Sequence, residues 1–192
     1  MRFLLLTILF LFSNSIIGQR VDFKNDSLFI NSFFVNGKTS KSTLDSLLNQ
    51  KGKEKSMTGK QKPGTHTAIK WARITYSKLG LMFSKNGYDP AALAVAVKLH
   101  RNTKPDIDWN NMPTKVFNGE LYIDGNYMND KRTIDQLQTM QNCKISCQES
   151  SFAGHTGITQ CQIICLDTNI RALFDFQTNE LTCVFIGYSK PY

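Results

Sequence analysis

The cysteines of this chain restrict its fold more than any other feature. Cys143 and Cys147 are four residues apart in "CKISC", and Cys161 and Cys165 repeat that spacing in "CQIIC". Because strand side chains alternate between two faces, the members of each pair share one face. In an antiparallel hairpin, a single register sets Cys143 opposite Cys165 and Cys147 opposite Cys161. The sequence therefore predicts these two disulfides and predicts that Cys183 is free and buried.

Other states of the cysteines remain open at this point. A parallel register would join 143 to 161 and 147 to 165, but it needs a long and usually helical crossover. The intervening "QESSFAGHTGITQ" contains two glycines and shows no helical period. Four reduced thiols fit a compartment that does not oxidise them, and a four-thiolate metal site is geometrically conceivable. Because zinc sites usually have shorter Cys spacings in turns, no metal or other cofactor is expected.

The beginning of the chain predicts export. In "MRFLLLTILFLFSNSIIGQ" one Arg precedes an apolar run from Phe3 to Phe12 in which Thr7 is the single polar residue. This run is about half of the roughly 20 residues that a membrane-spanning helix needs, and it has the proportions of a secretory signal. We predict a signal peptide over residues 1–18 that is cleaved near Gly18. No transmembrane segment is expected in the mature chain, which would be periplasmic or secreted.

The positive charge is concentrated in one part of the chain. The formal net charge is +8, and ten Lys or Arg residues lie between Lys38 and Lys78 against two acidic ones. Residues 51–66, "KGKEKSMTGKQKPGTH", are predicted to form an exposed basic loop. A local positive field attracts an acidic partner, although a solvated loop without a function is the alternative. The predicted partner-binding residues are Lys51, Lys53, Lys55, Lys60, Lys62 and Trp71.

Two stretches of the chain have similar patterns. "FFVNGKTSKSTLDSLLNQ" and "LYIDGNYMNDKRTIDQLQTM" each run from an aromatic residue through an Asn-Gly or Asp-Gly turn to a short helix. The expected cap is Thr43 or Ser42 in the first stretch and Thr133 in the second. Phe34–Gly37 aligns with Tyr122–Gly125, and strand-like segments follow each helix. We predict an α+β fold of two tandem repeats, each a short helix plus antiparallel strands, with their sheets joined side by side. The repeats would span residues 19–104 and 105–192, the second with the cysteine-rich hairpin.

Residues 91–100, "AALAVAVKLH", are ambiguous between a strand and a helix. The preceding Asp89-Pro90 is typical of a helix start. The apolar residues Leu93, Val95, Val97 and Leu99, however, keep a strict period of two, which favours a strand.

The tandem pattern resembles the β-lactamase-inhibitor-like architecture, in which two helix-plus-sheet repeats lie side by side. The stretch "FNGELYIDGNYM" with the helix after it also resembles an uncharacterised domain family of exported bacterial proteins. The resemblance covers Ser27 to Tyr188 and rests on turns and patterns. It implies the fold and a protein-binding role, and it assigns no functional residue.

The sequence contains no recognisable catalytic constellation. A nucleophilic pair of His155 with Cys147 or Cys161 is conceivable, but these thiols are predicted to be bridged. No phosphate-binding loop, metal-binding helix or paired-acid spacing is present. An enzyme is therefore not expected. The residues weighed for such roles include His66, His100, Asp106, Asp108 and Asp135.

Two functions fit these observations. The first is an exported, non-enzymatic binding module that engages a protein partner through a sheet face and the basic loop. The alternative is an envelope-associated structural or adhesion protein that contacts an anionic surface through the lysines. Nucleic acid is not an expected partner, because the loop lacks interleaved aromatic residues and an exported protein rarely meets nucleic acid.

Overall fold

The structure is a computed structural model that describes residues 19–25, 27–59, 69–85, 92–100, 113–152, 155–165, 168–175 and 179–187. These residues form thirteen strands and two short helices. In chain order the elements are β1 (Arg20–Lys24), β2 (Ser27–Ile30), β3 (Phe33–Val35), α1 (Lys41–Leu47), β4 (Lys53–Gly59), β5 (Ile69–Tyr76), β6 (Leu81–Lys85), β7 (Leu93–Lys98), β8 (Glu120–Ile123), β9 (Asn126–Met128), α2 (Ile134–Gln138), β10 (Cys143–Phe152), β11 (His155–Cys165), β12 (Thr168–Asp175) and β13 (Leu181–Gly187).

The strands make two sheets. The smaller sheet has five strands in the order β3-β2-β1-β8-β9, and its central strand β1 is antiparallel to β2 but parallel to β8. The larger sheet has eight strands in the order β10-β11-β12-β13-β7-β6-β5-β4. It consists of two antiparallel meanders of four strands, which are joined where β13 pairs with β7. Each meander follows one of the helices in the chain.

One hydrophobic core lies between the two sheets. Its buried cluster includes Phe23 of β1, Phe83 of β6, Phe174 of β12 and one leucine from each helix, Leu44 and Leu137. Burial of each large apolar side chain contributes about 1.5–3 kcal/mol relative to exposure. The core therefore ties both sheets and both helices into one unit. Among the described residues, no helix is long and apolar enough to cross a membrane.

The predicted α+β class is wrong. The helices α1 and α2 have seven and five residues, and each buries a single residue of its own. Elements this short cannot cover a sheet, so the second layer of the core is another sheet. The sequence pattern located both helices, but the N-cap of α1 is Ser40 and not Thr43 or Ser42. The pattern also carries no information about how much of the core a helix supplies.

The alignment of the two similar stretches was also wrong. Asp124 and Gly125, with φ angles of 46° and 79°, form the tight turn between β8 and β9. The matching turn in the first half is Asn31–Ser32, with φ angles of 49° and 68°, and not Asn36–Gly37. Two positive φ angles are what a two-residue hairpin turn requires. The first turn has Ser32 where the second has Gly125, so the sequence contains no Asn-Gly or Asp-Gly pair that would mark it.

Asn36 instead corresponds to Asn129, after the second strand of each hairpin. The side-chain oxygen of Asn36 accepts a hydrogen bond from the Lys38 backbone N–H at 2.9 Å. Asn129 does the same with Lys131 at 3.2 Å. This Asx turn leads into the residue that caps each helix, so both halves enter their helices in the same way.

The predictions for residues 91–100 and 51–66 have different outcomes. The strand interpretation of residues 91–100 is confirmed over Leu93–Lys98. Part of the predicted basic loop is a strand instead, because Lys53–Gly59 form β4 at the edge of the eight-stranded sheet. Residues 60–66 of that loop lie outside the described residues. The repeat boundary between residues 104 and 105 stays a prediction; strands from both sides of it share each sheet.

Candidate binding surfaces

The outer face of the five-stranded sheet carries a line of aromatic side chains. Strand register sets Phe34 of β3 opposite Phe29, Phe29 opposite Asp22, Asp22 opposite Tyr122, and Tyr122 opposite Tyr127 of β9. We call the four rings the aromatic row. With strands about 4.8 Å apart, the row extends over about 19 Å.

Strand alternation places these rings outside the core. In β2 the neighbours of Phe29 are Leu28 and Ile30, both of which are buried. In β8 the neighbours of Tyr122, Leu121 and Ile123, are buried as well. Since successive side chains point to opposite faces, Phe29 and Tyr122 must face away from the core.

The rings of the aromatic row contact each other in two pairs. The centroids of Phe29 and Phe34 are 5.8 Å apart, with the ring planes tilted by 60°. The centroids of Tyr122 and Tyr127 are 5.4 Å apart, with a tilt of 48°. Tilted aromatic pairs at such distances are favourable, so each hairpin carries a preorganised pair of rings.

The central strand adds two cations to these pairs. The Arg20 guanidinium lies 4.2 Å from the ring centroid of Tyr122, and the Lys24 ammonium lies 5.2 Å from that of Phe29. Arg20 also pairs with the Asp22 carboxylate at 3.1 Å. Cation–π contacts of this kind contribute about 0.5–1 kcal/mol at exposed sites. They hold the long basic side chains over the face instead of leaving them in solution.

The outer rings of the row remain open to solvent. Phe34 is 47% exposed and Tyr127 is 42% exposed. An isolated exposed ring needs no explanation, but here two pairs of rings flank Asp22 on one sheet face and make two apolar patches. Chemically this face offers ring faces, phenol hydroxyls and two cationic groups.

Three of the five predicted lysines lie at an exposed edge of the larger sheet. Lys51, Lys53 and Lys55 are all exposed, and the last two lie in β4. Register sets Lys55 opposite Arg73 of β5, so two cations are neighbours on one face. Trp71 is also in β5 and is half-buried, with contacts of its own. Lys60 and Lys62 lie outside the described residues, so the predicted set is brought together only in part.

The predicted disulfides are confirmed. Cys143 is bonded to Cys165 with an S–S distance of 2.10 Å, and Cys147 is bonded to Cys161 at 2.06 Å. Both bonds join directly opposed residues of β10 and β11, in the predicted register. Cys183 is free and buried, as predicted, and burial raises the pKa of its thiol well above the ordinary value, so it stays protonated.

A potential cation-binding group lies beside one disulfide. The carboxylate of Asp124 and the sulfurs of Cys143 and Cys165 all lie within 4.8 Å of one another. In the oxidised protein these sulfurs are bonded to each other and supply no thiolate, which is the form that binds metals.

The polar side chains weighed for catalysis do not converge in the described part of the chain. His100 lies between two carboxylates, with Nε2 3.2 Å from Glu180 and Nδ1 4.0 Å from Asp130. Asp135 is an exposed residue in the first turn of α2. His66, Asp106 and Asp108 lie outside the described residues, and the side chain of His155 is not described.

One carboxylate does have a distinctive environment. Asp45 of α1 accepts hydrogen bonds from the Gly52 backbone N–H at 2.9 Å, from the Tyr76 hydroxyl at 2.8 Å and from the Lys41 ammonium. Burial alone raises the pKa of Asp45, but these hydrogen bonds and the Lys41 charge outweigh it and lower the pKa. Burial, followed by the hydrogen bond to Asp45, raises the pKa of Tyr76. The group joins α1 to β5 and is structural.

The aromatic row is the surface that sequence reasoning missed. Its signal was present, because Phe29 and Tyr122 occupy the same position in the two hairpins, as do Phe34 and Tyr127. Recognising the aromatic row requires the correct alignment of the two hairpins and the pairing of β1 with β8. Neither follows from a local sequence pattern.

Comparison with protein families gives one match. Residues 20–138 match the family described as a domain of unknown function, DUF7738. The chain belongs to this family. The DUF7738 match runs from β1 to the end of α2, so it contains the aromatic row and β4 but not the strands β10–β13. No curated protein and no solved structure matches the chain. Nothing in these comparisons supports a relationship to β-lactamase-inhibitor-like proteins specifically.

Proposed function

We propose that this DUF7738 protein is an exported, non-enzymatic binding module that engages a protein partner through the aromatic row. The observation that supports this proposal is the alignment of four rings across one exposed sheet face. Aromatic residues and Arg are the side chains that contribute most to protein interfaces, and the row places Arg20 against Tyr122.

Preorganisation is the physical reason why such a face binds well. The rings are held by strands and by contacts with each other, so little side-chain entropy is lost when a partner covers them. Charges near the row balance, since Arg20 pairs with Asp22 and approaches Glu120 at 3.8 Å. A partner would therefore present an apolar and weakly charged surface here.

Export is part of the same proposal. The disulfides are compatible with an oxidising compartment outside the cytoplasm. Cleavage of the signal peptide over residues 1–18 is tested by N-terminal sequencing of the protein recovered from its producing cell, where a mature chain starting near Gln19 is expected.

The partner is tested with a double variant of the row. Purified protein is incubated with envelope extract, and complexes are isolated by size-exclusion chromatography and identified by mass spectrometry. A stoichiometric complex is expected with the natural chain and is expected to be lost with Phe34→Ser plus Tyr127→Ser. The matched control is Ile164→Ser, which removes an exposed apolar side chain from the other sheet. A complex that survives the double variant would rule out the row as the binding surface.

Contact with an anionic envelope surface is the second candidate function. It is supported by the exposure of Lys51, Lys53 and Lys55 on one edge. Salt-dependent binding to vesicles containing phosphatidylglycerol is expected to weaken when all three are changed to Gln. The control is the triple change of Lys78, Lys131 and Lys144, which are equally exposed elsewhere. Equal weakening in both triple variants would mean that only the net charge matters.

A further inference from the structure

Strand β4 is an edge of the eight-stranded sheet, and its outer side pairs with no other strand of the described residues. It is the last strand of the eight-stranded order and pairs only with β5 among the described residues. One row of its backbone N–H and C=O groups is bonded to β5, and the other row points away from the sheet. Such an edge is a template for pairing with a further strand.

The side chains of β4 limit which strand can be added. Lys53 and Lys55 are exposed on one face, and Glu54 and Ser56 are exposed on the other. The Lys face continues onto Arg73, which lies opposite Lys55. An incoming strand with like charge would face this cluster across about 5 Å and would be repelled, as would a second copy of the same edge.

The other edge of the same sheet is less accessible. Strand β10 is cross-linked to β11 by both disulfides, and the helix α2 packs beside it. The β8–β9 turn also reaches this edge, since Asp124 lies close to Cys143. The two edges of the sheet are therefore not equivalent, and β4 is the one that offers both backbone groups and charge.

We propose that β4 binds an extended acidic segment of a partner protein as a ninth strand of the sheet. The incoming backbone bonds to the open side of β4, and acidic side chains at alternate positions face Lys53 and Lys55. The lysines thus have two effects, because they repel a basic edge and attract an acidic one. This inference rests on the proposed function only in taking the partner to be a protein; it uses a different surface.

Backbone pairing is what separates this proposal from simple charge attraction. A basic loop would bind any polyanion, whereas a basic edge strand also requires backbone N–H and C=O groups on its ligand that can pair with its own. The probe is therefore a synthetic peptide of the length of β4 that alternates Glu with Val and Thr. A second peptide has the same side chains but is N-methylated at every residue, which removes the backbone donors of both its edges without changing its charge.

Binding is measured by fluorescence anisotropy at physiological salt. The natural chain is expected to bind the acidic peptide at least tenfold more tightly than the N-methylated one. The variant Lys53→Glu plus Lys55→Glu is expected to lose the acidic peptide and to bind the corresponding Lys peptide instead. The control, Lys131→Glu plus Lys144→Glu, has the same change in net charge and is expected to keep the original preference.

Three results would overturn the proposal. The first is equal binding of the plain and N-methylated peptides, which would leave only contact with polyanions. The second is equal loss in the control variant, and the third is no binding of the acidic peptide at all. If the peptide fails while the envelope complex still depends on Phe34 and Tyr127, only the ninth-strand proposal falls. If the peptide binds and the envelope complex does not depend on the row, the proposed use of the row falls instead.

Discussion

The two halves of the molecule anchor equivalent helices in different ways. In the first half, Asp45 of α1 bonds to the Gly52 backbone N–H and to the buried hydroxyl of Tyr76. The close approach leaves no space at Gly52, where a Cβ atom would lie 2.7 Å from Ile74 and Tyr76. The helix is thus attached by polar bonds to the strands that follow it.

The second half has a shorter helix and a covalent attachment in the strands after it. Thr133 and Gln136 form a capping box, in which each side chain bonds the backbone of the other. The two disulfides then hold β10 to β11. The same order of hairpin, helix and four-stranded meander is thus stabilised in the first half by the partly buried Asp45 carboxylate and in the second half by two disulfides.

Removing both disulfides should have the largest effect on stability. Changing Cys143, Cys147, Cys161 and Cys165 to Ala releases the loops that the bonds close, which span separations of 22 and 14 residues. We expect the free energy of unfolding to fall by about 3–5 kcal/mol in equilibrium urea unfolding. The natural chain with added reductant should behave in the same way. A loss below about 1 kcal/mol would mean that β10 and β11 are held by packing alone.

Removing the Asp45 carboxylate should have the next largest effect. Asp45→Ala leaves the buried Tyr76 hydroxyl without this partner, and we expect a loss of about 2–3 kcal/mol by urea unfolding. Tyr76→Phe should cost less, because the Gly52 bond remains. The matched control is Asp135→Ala in α2, which is exposed and should change stability by less than about 1 kcal/mol. Equal losses at Asp45 and Asp135 would remove the distinction between the halves.

Protonation of Asp45 in acid should lower the free energy of unfolding. The pKa of Asp45 is lowered from its ordinary value of 3.8, so the folded chain binds the proton less tightly than the unfolded chain. The contribution of Asp45 is therefore complete above pH 3.8 and is lost as the pH falls through the lower, folded pKa. Stability measured by urea unfolding should fall more steeply with acid in the natural chain than in Asp45→Asn. Parallel curves for the two proteins would contradict this assignment.

Cap substitutions give a smaller and more direct comparison of the two helices. Ser40→Ala removes an oxygen that accepts a hydrogen bond from the Thr43 N–H, and Thr133→Ala removes one side of the capping box. Each should cost about 1 kcal/mol in thermal or urea unfolding. We expect the Thr133 change to cost more, because the reciprocal bond from Gln136 loses its support. The reverse order would show that α1 depends more on its cap than α2 does.

The aromatic row should matter least for stability. Phe34→Ser and Tyr127→Ser each remove a half-exposed ring and one cross-strand contact, so a loss within about 1 kcal/mol is expected. Circular dichroism and urea unfolding measure this directly. A much larger loss would identify the rings as part of the fold and would weaken their role as a binding surface.

The sequence predicts those parts of the fold that depend on neighbouring residues. The alternation from Leu93 to Leu99 located β7, the Asp124–Gly125 turn located a hairpin, and cysteine spacing predicted the register of β10 with β11. Each of these depends on a repeat of two residues or on turn chemistry. All three are short-range signals.

The parts that were missed depend on distant contacts or on polar strands. Strand β4 contains Lys, Glu, Lys and Ser, which is a composition typical of loops, because an edge strand can be charged. The parallel pairing of β1 with β8 joins residues that share no local pattern. The aromatic row exists only once that pairing is made, so no window of the sequence contains it.

The position of β1 has a consequence for the order in which the protein matures. β1 is the first described strand to be synthesised, and it lies in the middle of its sheet. Its Arg20 pairs with Glu120 of β8, which is synthesised much later. Closing so long a loop is entropically costly and comes late in folding. Until β8 joins, the chain carries only one of the two ring pairs. A nascent or truncated chain that ends before β9 therefore cannot present the full surface, and a partner that needs both pairs can bind only after β9 has been made.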